Sequence, residues 1–449
     1  MSLVRRFAST AVAAAIALGL APPANAQNVP VARDAEIEAL VADYARPLLK
    51  AAGLRSNEVE IILVRDNSFN AFVLGRRMFI NTGTFLAAET PNEIIAVLAH
   101  EIGHIAGGHQ ERLRAELKRA NTQAIVATIL GMGAAIAGAA TQNEGLSGAG
   151  RGVALGGPEA ARRGLLAYKR TEESAADRAA VRYLEATGQS PTGLKRTFQR
   201  FQSQRALGGR RVDPYLLSHP LPRERLAQIG TLVDRSPNRD RRDPPALQSR
   251  HDRARAKVAA YTAGPGAATR LLKDRGESAR AYGEAIDAHL RGRSKEALAR
   301  IDIVARALPN DAYVHEMKGE ILRKAGRPAE AVESFRRALR LNGDRSAIIR
   351  AQIGGALLET DDPKRFAEAI ANLKRATIAD RTYGRAHTDL ARAYNRIGDS
   401  AAAYLATAEA ALASGNGDRA EDFAKRAQRE LAERGPEWRR AQDIIEANR

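Results

Sequence analysis

The sequence predicts a mainly α-helical protein with a small β-sheet, followed by an all-α array of helix repeats. Three observations predict this fold class. Segments rich in β-branched residues between residues 59 and 81 are typical of strands, and residues 90–108 have the apolar pattern of a buried helix. Beyond residue 290, small and apolar residues recur 34 positions apart, which is the period of a tetratricopeptide helix pair. A chain of 449 residues is too long for one core, so two or three domains are expected.

Residues 1–26 have the features of a secretory signal peptide. Arg5-Arg6 supplies the positive charge, Ala8 to Leu20 forms an apolar segment, and Ala24-Asn25-Ala26 is a small-residue cleavage site. The apolar segment is short for a permanent anchor. An uncleaved anchor is the alternative, but the break at Pro22-Pro23 favours removal. We therefore expect the mature protein to begin at Gln27 and to work outside the cytoplasm.

Composition excludes several chemistries. The chain has no cysteine, which rules out disulfides, thiolate metal ligands and a cysteine nucleophile. Its net charge is +18, but aromatic residues make up only 5% and no nucleic-acid-binding motif is present. Attraction to anionic lipid or to acidic partner proteins explains the charge better than nucleic acid does. Plain solubility is a third explanation, and the sequence does not separate it from the other two.

The first structural elements are a helix, a strand and a hairpin. Residues 27–53 carry apolar side chains at helical intervals, which predicts a lead-in helix. Residues 59–64 are apolar and β-branched, which predicts a strand. Residues 70–74 and 77–81 have the same character and are joined by Gly75-Arg76, which predicts a two-stranded hairpin.

The next helix carries the most specific motif of the chain. His100 and His104 are four residues apart, so both imidazoles lie on one face and can reach one metal ion, with Glu101 beside them. The preceding Thr90-Pro91-Asn92-Glu93 predicts a capping box with proline at the first helical position, and Gly107-Gly108 predicts the end of the helix. The pattern is typical of a zinc peptidase.

An accidental match is the alternative, on a helix whose histidines only satisfy hydrogen bonds in the core. Apolar residues cover most of the helix and predict burial, where unpaired polar groups are costly. A bound metal removes that cost, so we favour the metal site. The apolar residues are Ile94, Ile95, Val97, Leu98, Ile102 and Ile105.

The predicted hairpin lies directly before this helix. An edge strand can bind an extended peptide through main-chain hydrogen bonds, with little side-chain selectivity. Such a strand beside the metal would serve as a substrate site. A purely structural hairpin is about equally compatible with the sequence.

A catalytic zinc site needs a third protein ligand. His109 is one candidate, since a related motif places a third histidine six residues after the second one, but that position is Gln110 here. A slip of one residue turns a helical side chain by roughly 100°. We therefore interpret His109 as a surface residue or as a residue behind the ligands.

Glu173 is the other candidate. It begins a second helix, and Asp177 lies on the same face four residues later. Glu173 can coordinate zinc while Asp177 accepts the free imidazole N–H of a ligand histidine. Alanines at 175, 176, 179 and 180 would let this helix approach closely. The alternative is that Glu172 and Glu173 merely suit the positive end of a helix.

Residues 124–157 lie between these two helices. The first half is apolar, and glycines continue to Gly157. We expect a packed or membrane-surface helix and a mobile loop over the site rather than a transmembrane hairpin, because the apolar run is short for a bilayer.

A charged, proline-bearing linker is predicted at residues 234–245, and helix repeats follow it. A third copy is offset by 38 residues, with Asp361-Asp362-Pro363 taking up the insertion, and two further helices cap the array. A generic helical bundle is the alternative. The recurring positions are Gly292, Ala297, Ile301 and Val304, then Gly326, Ala331, Phe335 and Ala338, then Ala369, Leu373 and Ala376, and finally Ala391, Gly398, Ala403 and Ala410.

Four blocks together resemble the gluzincin peptidase family that includes the Ste24 proteases, the heat-shock membrane protease and a periplasmic assembly-enhancing protease. The blocks are Asn70-Ala71-Phe72, His100 to His104, Glu173 to Asp177, and Ser218 to Leu226 with its His-Pro pair. The resemblance covers about residues 30–230, and the periplasmic member is similar in having repeats after the protease domain.

The resemblance implies roles for individual residues. His100, His104 and Glu173 match the ligands of one zinc ion, Glu101 matches the general base, and Asp177 matches the carboxylate behind a ligand. His219 matches a histidine that can occupy the open metal position and hold the enzyme inactive, and Arg225 matches an arginine near the active site. Both are candidate catalytic residues, because either side chain could stabilise the oxyanion of the reaction. Gly107-Gly108 and the basic Gly75-Arg76-Arg77 turn depart from the family pattern.

The expected function is an exported, periplasmic zinc endopeptidase that cleaves misfolded or misassembled proteins of the outer membrane. The repeats would recruit substrates or the assembly machinery, and peripheral membrane contact is open. A catalytically silent chaperone or scaffold is the alternative. The expected divisions are a signal peptide at 1–26, a metallopeptidase domain at 27–232, a linker with a connecting helix at 233–275 and repeats at 276–449.

Overall fold

The computed structural model describes residues 30–140, 144–206, 215, 219 and 223–447. The predicted signal peptide at 1–26 lies outside the described residues, as do Ser218 and residues 220–222 of the His-Pro block. In the described part of the chain, no helix has both the length and the apolar content required to span a bilayer.

The chain begins with a helix and a three-stranded sheet. Helix α1 (Ala35–Ala51) starts at Asp34, whose carboxylate accepts a hydrogen bond from the Ile37 amide. Strand β1 (Glu60–Val64) is parallel to β3 (Arg77–Asn81), and β2 (Ala71–Leu74) is antiparallel to β3. The order is β1-β3-β2. The predicted hairpin is therefore confirmed, and β2 lies at one side of the sheet.

The helices that follow enclose the metal motif. They are α2 (Thr82–Ala87), α3 (Pro91–Ala106), α4 (His109–Ala140), α5 (Glu144–Ala186), α6 (Thr192–Ala206) and α7 (Arg223–Arg235). Helix α3 is buried from Pro91 to His104 and packs against α1, β2, α5 and α6. The burial predicted from its apolar side chains is confirmed.

The start of α3 differs from the predicted capping box. Thr90 makes no side-chain cap hydrogen bond. The Asn92 amide instead donates to Asp243 at 3.0 Å, and the Glu93 carboxylate pairs with Arg200. A residue 151 positions away thus caps the helix, which local sequence cannot reveal.

Helices α4 and α5 form a long antiparallel pair. The glycine-rich stretch up to Gly157, expected to be a loop, belongs to helix α5. Gly157 lies where the two helices approach closely, because a Cβ atom there would meet that of Ala127 at 2.3 Å, whereas Cβ atoms at Gly148, Gly152 and Gly156 would meet nothing within 4 Å. Several apolar side chains on α4 are exposed, so this segment is not a core helix. They are Ile125, Val126, Ile129, Leu130 and Met132.

Residues 236–244, predicted to be a linker, are bound to the preceding domain. Ser190 donates to the Arg239 carbonyl oxygen at 2.7 Å, and Asp243 caps α3. Helix α8 (Pro245–Ala263) then packs against α1, α2 and α3 and continues to α9 (Ala267–Leu272).

The remaining described helices form five antiparallel pairs. The pairs are α10 (Glu277–Leu290) with α11 (Ser294–Ala307), α12 (Ala312–Lys324) with α13 (Pro328–Leu341), α14 (Ala347–Glu359) with α15 (Phe366–Ala379), α16 (Gly384–Arg396) with α17 (Ser400–Ala413), and α18 (Gly417–Glu430) with α19 (Pro436–Ala447). Gly292 and Gly326 have φ angles of 76° and 72° in the turns, where glycine is favoured. Ala297, Ala331 and Ala369 are each fully buried at equivalent positions. The repeat prediction is confirmed.

A buried cluster of charges joins the repeats to the start of the chain. The Lys257 ammonium lies 2.7 Å from Asp34, 3.7 Å from Glu36 and 3.4 Å from Glu316. Arg253 lies 3.5 Å from Glu36. Carboxylates outnumber cations among these five residues, and burial raises the pKa of Glu316 to about 8. Glu316 therefore retains a proton at neutral pH.

This cluster predicts a loss of stability between pH 6 and pH 8. A carboxyl group whose pKa is higher in the folded state contributes stability at low pH and loses it as pH rises toward the folded value. The free energy of unfolding should fall between pH 6 and 8 by about 2 kcal/mol because of Glu316. Urea unfolding of Glu316→Gln should show a smaller decrease over this range. The exposed Glu296→Gln variant should behave like the wild type, and parallel profiles for all three proteins would contradict the prediction.

Candidate metal centre

Two helices bring the predicted ligands together. His100 and His104 lie on successive turns of α3, and Glu173 lies on α5. The helices can approach because Gly103 faces Ala176, where an added Cβ would lie 3.0 Å from the Ala176 carbonyl oxygen. His219 completes the group, and all four side chains are buried.

The donor atoms have the spacing of a metal site. One ligand atom from each of His100, His104, Glu173 and His219 lies within 4.8 Å of all the others. Five donor-to-donor distances range from 3.0 to 3.4 Å. Ligands of a tetrahedral zinc ion, each about 2.0–2.1 Å from the metal, are roughly 3.3–3.4 Å apart. The four side chains therefore fit a single zinc-sized ion.

Asp177 fixes the orientation of the first histidine. Its carboxylate lies 2.9 Å from Nδ1 of His100. A proton on Nδ1 is held by this contact, so Nε2 presents its lone pair to the other ligands. The sequence-based prediction placed Asp177 behind a ligand histidine, and the structure brings the two together in that way.

His109 and Glu172 fix the orientation of His104 through two successive contacts. Its Nδ1 lies 2.9 Å from Nδ1 of His109, and Nε2 of His109 lies 2.9 Å from Glu172. Because Glu172 accepts the proton on Nε2 of His109, Nδ1 of His109 is the acceptor for His104. The Nε2 lone pair of His104 then points toward His100. His109 is buried, so the surface alternative for this residue is wrong.

Arg225 lies beside the carboxylates rather than in the open cleft. Its guanidinium donates to Asp177 at 2.6 and 2.8 Å and lies 2.8 Å from Glu173. It is 3% exposed. These contacts orient the two carboxylates, so we favour a positioning role for Arg225 over the contact with reacting oxygen that the sequence suggested.

Glu101 lies next to the four possible metal ligands. It is fully buried, and neither carboxylate oxygen has a hydrogen-bond partner among the described residues. Its Oε1 lies 3.4 Å from Nε2 of His219. Burial raises the pKa of Glu101, which brings this carboxylate closer to the basicity that proton transfer near neutral pH requires.

The charges of the site favour a cation. Burial would raise the pKa of Glu173, but the neighbouring His219 and His100 hold it well below its usual value. Burial would lower the pKa of His100, yet Asp177 and Glu173 raise it to about 9. Burial and His100 hold the pKa of His104 well below its usual value. A proton on His100 and a metal ion compete for the same donors, so metal binding should release a proton.

A cleft of about 500 Å³ opens onto this site. One wall is strand β2 with Asn70, Phe72 and Val73, and the opposite wall is α5 with Tyr168 and Lys169. His104, Glu173 and His219 lie between the walls. The cleft therefore runs beside β2 and reaches three of the four possible ligands.

The position of His109 behind the ligands was one of two alternatives left open by the sequence, whereas its contact with Glu172 and the packing around His219 were not predicted. Tyr215 stacks on the His219 ring with centroids 4.7 Å apart, and Phe69 and Phe201 pack around Tyr215. The aromatic cluster has no sequence pattern, because its members come from three separate segments. The spacing of five residues between His104 and His109 was the sequence signal for the contact between their rings.

A helix with two convergent imidazoles, an adjacent glutamate and a carboxylate from a second helix defines a metallopeptidase centre. Residues 31–233 match the model of Peptidase family M48. The match covers this part of the chain, less than half of its length, and the family resemblance inferred from the sequence is confirmed for these residues.

Up to about three quarters of the chain is similar to beta-barrel assembly-enhancing proteases. The protein of that name from Escherichia coli K12 is 22% identical over 358 residues, covering 76% of this chain and 69% of the relative. The Yersinia pestis protein is 24% identical, covering 71% and 64%. A relative from Vibrio cholerae is 27% identical over 245 residues, or 53% of this chain, and the match spans about half (46%) of that relative.

Solved structures with helix repeats show only a weak likeness. The crystal structure of MamA is 21% identical and covers 36% of this chain and 91% of its own, with a TM-score of 0.28. A score this low does not establish a shared fold, so the repeat assignment rests on the helix pairs themselves.

Replacing Asp177 tests the support of the metal centre. Asp177→Asn removes the charge that orients His100, so zinc affinity should fall about 10- to 100-fold. Competition with a chromogenic chelator measures the affinity, and circular dichroism verifies the fold. The exposed Asp240→Asn variant should bind zinc like the wild type. Unchanged affinity in folded Asp177→Asn would contradict this account.

Proposed function

We propose that the protein is an exported zinc endopeptidase with one zinc ion per chain. The observation that carries the proposal is the convergence of His100, His104, Glu173 and His219 within 4.8 Å, with the Glu101 carboxylate next to them. Two imidazoles and a carboxylate are a common ligand set of catalytic zinc, which keeps one position open.

The chain's own residues supply the proton transfers. Zinc, when bound, supplies a Lewis acid that polarises the scissile carbonyl and makes water more acidic. Glu101 takes the proton from the attacking water and delivers it to the leaving amine. His100 and His104 are held in their ligand tautomers by Asp177 and His109. Arg225 keeps the carboxylates of Asp177 and Glu173 in place.

His219 gives the site a latent state. Its Nδ1 lies 3.1 Å from Glu173 and 3.4 Å from Nε2 of His100, at a distance that fits a fourth ligand. Its Nε2 faces Glu101, the residue that would otherwise activate water. As a fourth ligand, His219 would exclude water from that position, and the enzyme would be inactive until this ring moved away.

The substrates in this proposal are misfolded or misassembled proteins of the outer membrane. An edge strand binds main chain and selects little for side chains, which suits unfolded chains of varied sequence. The names of the relatives from Escherichia coli and Yersinia pestis support a role in β-barrel assembly. The pattern of residues 1–26 supports export to the periplasm.

The repeats have the recruiting role. Stacked helix pairs provide an extended surface for protein segments, and we propose that they bind substrates or the outer-membrane assembly machinery. The domain bounds of this proposal are 1–26 for the signal peptide, 27–232 for the peptidase domain, 233–275 for the connection and 276–449 for the repeats.

A catalytically silent chaperone is the second candidate function. The position of His219 beside all three other ligands favours it, since a permanently bound ring would leave only substrate capture. The intact Glu101 favours the peptidase, because a scaffold does not require a base at the metal site.

Two substitutions separate these functions. His219→Ala should raise the rate of hydrolysis of unfolded casein, because a water molecule can replace the ring at the metal. Adding Glu101→Gln should lower that rate about 10²- to 10⁴-fold through loss of the base, with zinc content unchanged. The exposed Glu111→Gln variant is the matched control.

The rate is measured on zinc-loaded protein by release of labelled fragments. If zinc-loaded His219→Ala does not cleave casein, the chain acts as a scaffold. If Glu101→Gln retains full activity in the same background, the cleavage has another source.

A further inference from the structure

Gln110 occupies the strand edge that faces the cleft. Its side-chain amide nitrogen donates to the Val73 carbonyl oxygen, and its side-chain oxygen accepts a hydrogen bond from the Gly75 amide at 3.3 Å. Gln110 is the second residue of α4 and directly follows His109. It also lines the cleft beside the metal ligands.

The groups that Gln110 contacts are those that face away from the sheet. The Asn70 carbonyl oxygen accepts from the Asn81 amide of β3. Main-chain groups alternate in direction along an antiparallel strand, so those of Val73 and Gly75 point to the open side of β2. A carboxamide has one C=O acceptor and N–H donors, as a main-chain peptide group does. Gln110 thus makes the hydrogen bonds that a paired peptide would make.

We propose that Gln110 is a side-chain gate on the substrate strand. An extended substrate that pairs with β2 must first displace the Gln110 carboxamide from Val73 and Gly75. Gln110 therefore weakens the binding of extended chains and favours those that can form a continuous set of main-chain hydrogen bonds. This inference rests on the proposed peptidase function, because it assumes that β2 is the substrate strand.

Gln110 is also linked to the metal centre through its neighbour. His109 contacts His104 and Glu172, so the first turn of α4 is attached to the ligand group. Movement of the Gln110 side chain can occur by rotation about its own bonds and leaves His109 in place. The gate thus acts on substrate binding rather than on the ligands.

The test measures peptide binding to zinc-loaded protein in a Glu101→Gln background, which prevents cleavage. The probe is a fluorescein-labelled twelve-residue peptide of alternating valine and serine. Gln110→Ala should lower its Kd roughly three- to tenfold, as expected when one or two competing hydrogen bonds are lost. Gln110→Met should do the same, because methionine has similar length but no amide. The exposed Gln123→Ala on the same helix should not change the Kd.

Two further measurements test whether main-chain hydrogen bonds of β2 cause the change in Kd. Amide hydrogen exchange at Gly75 should accelerate in Gln110→Ala and slow again when the peptide binds. For a peptide with N-methyl groups on alternate residues, Gln110→Ala should not increase the affinity. The proposal would be overturned by an unchanged or higher Kd in Gln110→Ala, or by a gain in affinity in Gln110→Ala that is absent from Gln110→Met. It would also be overturned if the peptide bound neither the Glu101→Gln protein nor its Gln110 variants.

The two proposals fail in different ways. Binding is read without catalysis, whereas the peptidase is tested by hydrolysis in His219→Ala. If casein is cleaved but neither Gln110 variant changes the Kd from that of the Glu101→Gln protein, the gate alone is wrong. If the peptide binds as expected but nothing is cleaved, the gate stands and the peptidase function fails.

Discussion

The contact between Asp177 and His100 is the constraint on which the site depends. One carboxylate oxygen lies 2.9 Å from the histidine, and Arg225 donates to both oxygens. The contact joins α3, α5 and α7 in a space from which solvent is largely excluded, because all three residues are at most 3% exposed. A buried carboxylate needs partners to remain charged, and here the partners are the His100 imidazole and the Arg225 guanidinium. The same interaction therefore holds three helices together, sets the tautomer of His100 and places Glu173 beside it.

The elements that could be predicted from the sequence are those whose determining residues lie close together along the chain. The metal helix, the hairpin and the repeats follow from spacing, β-branched content and a period of 34 residues, and Glu173 with Asp177 follows from their shared helix face. The N-terminal cap of α3 could not be predicted, because Asp243 comes from 151 positions away. The glycine-rich stretch before residue 157 was expected to be a loop, since glycine disfavours isolated helices. Its helical state depends on close packing against α4, which composition does not encode.

The repeats and the peptidase domain are connected by buried charge as well as by sequence. Lys257 on α8 contacts Asp34 and Glu316, so it links the start of the chain to α12. Arg33 pairs with Asp380 and lies 4.8 Å above the Tyr383 ring, which extends the link to the later repeats. These contacts place the array against the start of the chain and helix α8.

The aromatic cluster around His219 has a mechanical consequence. Tyr215 stacks on the histidine, and Phe69 meets Tyr215 edge-on at 5.7 Å, one residue before Asn70 at the entrance to the substrate strand. Pulling the imidazole out of the cluster removes support from the ring that braces the beginning of that strand. Under the proposed function, a chain arriving at the strand and the release of the His219 ring would share one set of aromatic contacts. Occupancy of the groove and opening of the four-residue site would then be parts of the same rearrangement.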